Sequence, residues 1–149
     1  YHAPGRRAAR AGRSGAGWRI IPGTGSRGRL GLERDTAVTT TFDPELTPGA
    51  RNAIRVCLNV QPHERVTVIA DRACAEIAAS IVREIEEVGA PHRAFVLEDE
   101  APRPLVDFPA EIAADMEQSQ VSVFAVQVQP NELQSRMQMT GIVNRRRMR

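Results

Sequence analysis

The sequence predicts an α/β fold: a small parallel sheet of βαβ units flanked by helices in a Rossmann-like three-layer arrangement, preceded by a disordered N-terminal tail. Three observations carry that prediction. Cys74, Ile77, Ala78, Ile81, Val82, Ile85 and Val88 recur at helical spacing between two β-branched runs, over 65–70 and 92–97. Gly89 and Pro91 end that helical pattern, because glycine takes a left-handed cap and proline cannot continue a helix. A third apolar run over 121–128 is interrupted only by Ser122 and Gln127, as suits a parallel strand covered on both faces. Strands joined by a helix after short turns are parallel with a right-handed crossover.

Charge divides the chain. All 20 basic residues are arginine, which reads as genomic composition bias, since arginine and lysine are not interchangeable wholesale. Residues 1–35 hold eight arginines against Glu33 and Asp35, whereas residues 36–142 hold eight against 16 acids. Arg145, Arg146, Arg147 and Arg149 close the chain. The net charge of +2 therefore describes neither part, and the folded part is expected to be acidic.

The Gly/Arg/Ala/Ser-rich stretch 1–35 lacks a sustained period and cannot bury enough apolar surface to offset its ordering entropy. Residues 1–45 are thus expected to be a disordered tail and connector. An arginine-rich arm on nucleic-acid phosphates is the weaker reading, and nucleic acid is not expected as a partner. The chain opens on Tyr1 and its first methionine is Met116, so it is expected to be a piece of a longer reading frame, truncated at its carboxyl end.

The elements follow in order. Thr47 and Pro48 predict a capped helix over 48–59, with Ala50, Ala53, Ile54, Cys57 and Leu58 on its inner side and Cys57 a small buried residue. The first strand ends at Asp71, read as the N-cap of the central helix. That helix should pack through Ile77, Ile81 and Ile85, with Glu84, Glu86 and Glu87 on a solvated face. A short helix over 109–117 precedes the third strand. A last helix is expected from Glu132, capped by Asn131, with Leu133 and Met137 on one face and Gly141 weakening or breaking it.

Candidate chemistry is sparse. Open parallel sheets bind ligands beyond the carboxyl ends of their strands, which makes Asp71, Arg72 and Asp99 the candidate ligand-binding residues. Glu98, Asp99 and Glu100 could hold a cation, but no histidine accompanies them. His2, His63 and His92 are scattered, so no metal site and no catalytic residue is assigned. Cys57 and Cys74 form no disulfide framework, which favours a reducing, cytoplasmic setting. No apolar run approaches the roughly 18 residues of a membrane span, and no membrane partner is expected.

The stretch LTPGARNAIRVCLNVQPHERVTVIAD, beginning at Leu46, is similar to the opening of the aminopeptidase T-like metallo-aminopeptidases. Glu87-Val88-Gly89-Ala90, Phe95-Val96-Leu97 and the closing PNELQSRMQMTGIVNRRRMR extend the resemblance through residues 46–149. His63 departs from it, standing where the family often has glycine. The resemblance implies the N-terminal lobe of a homodimeric enzyme that removes N-terminal residues from peptides. It implies a divalent metal pair, zinc, cobalt or manganese, held in a C-terminal domain beyond this chain, with none bound by these residues. The other reading is a non-enzymatic small-ligand-binding or regulatory α/β module using the crevice at Asp71, Arg72 and Asp99.

Overall fold

The computed structural model describes residues 41–149; the expected tail and the first half of its connector, 36–40, lie outside them. Three strands, β1 (Val66–Ala70), β2 (His92–Val96) and β3 (Val121–Ala125), form a parallel sheet in the order β2-β1-β3. Val66 stands beside His92 on one side and Val121 on the other. Every residue of β1 is buried, as the centre of a sheet covered on both faces requires. β3 lies at the edge among these strands and is only half-buried beyond Val121, so its apolar run is less covered than expected.

Helices cover both faces. On one, α1 (Thr47–Arg51), continued by a π-helical segment Asn52–Cys57, packs with α2 (Ala75–Val88) over Val66, Val68 and Ala70. On the other, α4 (Ala110–Met116) and α5 (Leu133–Arg146) enclose Ile69 and Phe95. A single turn, α3 (Leu97–Glu100), follows β2 directly, so Leu97 leaves the expected strand. β3 divides its side chains between the faces: Val121 and Val123 join the first core and Phe124 the second, with Val126 just beyond the strand, while Val128, at the end of the expected run, is exposed.

The start of α1 is displaced. Asp43, not Thr47, caps the entry, accepting the Glu45 N–H at 2.9 Å ahead of a 3-10 turn, Pro44–Leu46. The π-helical segment then corrects the reading of Cys57. Leu58 N–H bonds Ala53 O, five residues back, and the widened turn delays the helix's rotation. Ala50 and Ile54 remain inward, while Val56 and Cys57 face solvent.

α2 is terminated as its sequence dictates. Gly89 adopts φ +82°, and its N–H returns to the carbonyls of Ile85 and Glu86. Two details differ from expectation. Ile77, in the first turn, is 45% exposed, because α1 covers this face further along. There it meets Glu84, which is fully buried rather than solvated and is bonded by Arg55 Nε at 3.0 Å and by Arg51 Nη2 at 3.5 Å. Glu86 and Glu87 stay exposed.

α5 also corrects the sequence reading. Leu133 and Met137 are 71% and 66% exposed, and Ser135, Met139, Ile142 and Val143 form the inner face instead. Glu132 is drawn into the protein just ahead of the helix, which sets that rotation and turns Leu133 out. Asn131 takes φ +68° and is not the cap, and the helix runs through Gly141 unbroken.

At the amino ends of β1 and β3 a buried polar group pins α4. Thr67 Oγ1 donates to Asp115 Oδ2 at 2.6 Å and lies 2.7 Å from Ser119 Oγ, while Arg65 pairs with Asp115.

Ile85→Ala should cost about 2–5 kcal/mol, as a fully buried aliphatic truncation does. Ile77→Ala should stay within about 0.5 kcal/mol, the range of surface changes. Urea unfolding of the two variants checks both, and equal losses would mean that α2 is rotated from the position described.

Candidate functional site

In a sheet of order β2-β1-β3 the segments leaving β1 and β3 run to opposite faces, α2 on one and α5 on the other, so the crevice at the carboxyl ends of β1 and β3 is where an open α/β sheet receives ligands. Asp71 directly follows β1 at that crevice. Its Oδ1 accepts the Cys74 N–H at 2.9 Å, capping the 3-10 turn Arg72–Cys74 that leads into α2. Its Oδ2 accepts the Gln127 N–H at 2.7 Å and Arg103 Nη1 at 2.9 Å. The capping role read from the sequence is thus present, and both oxygens are engaged.

Arg103 fills the crevice, its side chain 4% exposed. Nε and Nη2 grip Glu132 at 2.8 and 2.6 Å, a two-pronged carboxylate contact. Nη1 also reaches Glu98 Oε1 at 3.5 Å, and Nη2 donates to the Gln127 carbonyl at 3.0 Å. Glu132 Oε1 takes a further bond from the Leu105 N–H at 3.0 Å.

The electrostatics follow from these contacts. Burial pushes the Asp71 carboxyl up, but the Gln127 and Cys74 N–H groups and the Arg103 guanidinium together outweigh it and hold it below its ordinary 3.8. Arg103 lowers Glu132 against its burial, with help from the Leu105 N–H. The Glu132 contact raises the Arg103 guanidinium further above its already high value. All three groups are charged at neutral pH. Burial and the neighbouring Asp71 push the Cys74 thiol up, so it is a poor nucleophile.

Arg72 and Asp99 are not part of this interior cluster. They pair with each other at 2.7 Å on the surface, and the Arg72 N–H donates to Glu98 Oε2 at 3.1 Å. The structure therefore separates the three candidate residues into one buried anchor and one exposed pair. Glu98 and Asp99 are each engaged by arginine, and among the described residues no group of three or more His, Cys, Asp or Glu side chains is arranged to hold a metal ion. The metal pair implied by the resemblance does not fit these residues. No helix among them is long and apolar enough to cross a membrane.

Sequence reasoning passed over Arg103 and the inward turn of Glu132. The only local signal is the setting of Arg103 between Pro102 and Pro104, a lone charge in a loop stiffened on either side. Next to the cluster, Leu97, Leu105, Phe108, Phe124 and Met139 line a narrow apolar cleft that Arg136 closes, its guanidinium 5.5 Å from the Phe124 ring centre. The arrangement offers charge and shape but no free base or activated nucleophile. No protein-family model, curated protein or solved structure matches the chain.

Because Asp71, Glu132 and Glu84 are held below their ordinary values, the unfolded chain takes up protons first as the pH falls. Their stabilisation is complete above 3.8 for Asp71 and 4.5 for the two glutamates, and drains away below. Arg103→Met should lose about 3–5 kcal/mol at pH 7, since it strands buried carboxylates, and less at pH 4, where they can take up protons. Chemical unfolding at the two pH values checks this; an equal loss at both would mean that the carboxylates are solvated.

Proposed function

We propose that residues 46–149 are the N-terminal lobe of a metal-dependent aminopeptidase that removes N-terminal residues from peptides. The divalent metal pair, zinc, cobalt or manganese, would be held by a C-terminal domain and would supply water activation and carbonyl polarisation there. The lobe's own task would be to shape and limit access to that centre within a cytoplasmic homodimer.

The observation that carries the reading is the position of the residues behind the resemblance. They form one continuous unit: α1, the turn into β1, β1 followed by Asp71, α2 ending in Glu87-Val88-Gly89-Ala90, and β2 with Phe95 and Val96. Each of the quoted positions at the element ends has a job in that unit, Asp71 as a cap and Gly89 as a left-handed stop. His63, where the resemblance departs, lies in the exposed turn before β1.

A rigid, ion-locked crevice also favours a supporting lobe over a ligand-binding module. A ligand contacting Asp71 would have to displace Arg103 from two buried carboxylates.

The protein carrying its C-terminal domain should hydrolyse aminoacyl-anilides, lose that activity to a chelator, and regain it with zinc, cobalt or manganese. The 149-residue chain alone should be inactive with any of them. Metal-dependent turnover by this chain that survives repurification would put the centre here instead. An inactive longer protein would favour the binding module.

A further inference from the structure

The last residue of the chain makes two backbone hydrogen bonds that no helix or turn explains. Arg149 N–H donates to the Gln120 carbonyl at 3.2 Å, and Ser122 N–H donates to the Arg149 carbonyl at 2.8 Å. One residue bonding to the neighbours on either side of a second residue is the parallel ladder pattern, here with Arg149 opposite Val121. The geometry points to β3 as an interior strand: its outer edge takes a fourth parallel strand that begins at Arg149 and is carried on by the same polypeptide.

Three further observations fix the occupant. The first is the alternation along β3. Val121 N–H bonds the Arg65 carbonyl and Ala125 O accepts the Asp71 N–H, so odd-numbered residues face β1 and Ser122, Phe124 and Val126 present their backbone outward. The Phe124 N–H thus points away from β1, toward the outer edge of β3. The second is handedness. The β1-to-β2 crossover carries α2 on one face, while the β2-to-β3 crossover, running the other way, carries α4 on the opposite face. A strand beyond β3 continues in that second direction, and α5 packs on the face that a right-handed crossover demands. The third is anchorage. Arg149 pairs with Glu64, and its Nη1 donates to the Leu58 carbonyl at 3.1 Å, so both backbone and side chain hold the entry point.

A second copy of this chain is a poor fit. A twofold axis would lay one β3 antiparallel to the other, whereas Arg149 already sets a parallel direction. The order becomes β2-β1-β3 followed by the new strand, and the crevice at Asp71 lies between the two interior strands. This inference stands whether or not the aminopeptidase reading does.

Amide hydrogen exchange by NMR tests it, comparing the 149-residue chain with the protein carrying its native residues after Arg149. The Phe124 N–H should slow by about a hundredfold in the longer protein as it gains a partner, while Val123 and Ala125 should exchange alike in both. The second residue after Arg149 should show cross-strand contacts to Val123. Equal exchange of Phe124 in both proteins would overturn the proposal, as would Phe124 already protected in the shorter chain, which would mean that another segment holds the edge. So would contacts in an antiparallel register, or a native polypeptide that ends at Arg149.

Discussion

All five N–H donors of the Arg103 guanidinium are used, and the described fold depends on their being used together. They join the end of β1 through Asp71, the one-turn helix after β2 through Glu98, the chain leaving β3 through Gln127, and the residue before α5 through Glu132. No apolar contact could do this. The carboxyl ends of parallel strands carry backbone groups that need partners, and a crevice between diverging connections cannot be filled by side chains of one kind. The ion cluster supplies directional bonds where packing alone would leave orphaned polar atoms.

The opposite end of the sheet is closed by the same device on a smaller scale. Arg65 and Asp115, with Thr67 and Ser119, place a charge pair and two hydroxyls between β1 and α4. Glu84 under Arg51 and Arg55 makes a third such joint, between α2 and the first helix. In these two joints a carboxylate from the protein interior is met by an arginine reaching in from a less buried position. The long apolar stem of arginine makes that possible, lying along the core while its head group reaches the acid.

Much of the architecture was legible in the sequence. Period told strand from helix, Gly89 and Pro91 marked a stop, and Asp71 announced a cap, because each of these effects acts within a few residues. Readings failed where a distant partner decided the outcome. Leu133 and Met137 look like an inner face until Glu132 is pulled toward Arg103, 29 positions away, and the helix turns with it. Glu84 reads as one of three surface acids until two arginines from another helix cover it. Cys57 was misread for a local reason, a π-helical turn that leaves no mark in residue type. The candidate site divided along the same line: Asp71 was found through its cap, and Arg103, which neutralises it, carried no periodic or spacing signal.

The absence of lysine takes on a different meaning position by position. At Arg83, whose ion pairs with Glu86 and Glu87 are long and exposed, an ammonium would serve about as well, and nothing but codon supply keeps arginine there. At Arg103 an ammonium has three donors for five acceptors and no planar fork to grip Glu132. Nucleotide drift away from arginine codons would therefore be neutral over most of the surface and blocked at this one interior site. A lineage that regained lysine elsewhere would still be expected to spell residue 103 as it stands.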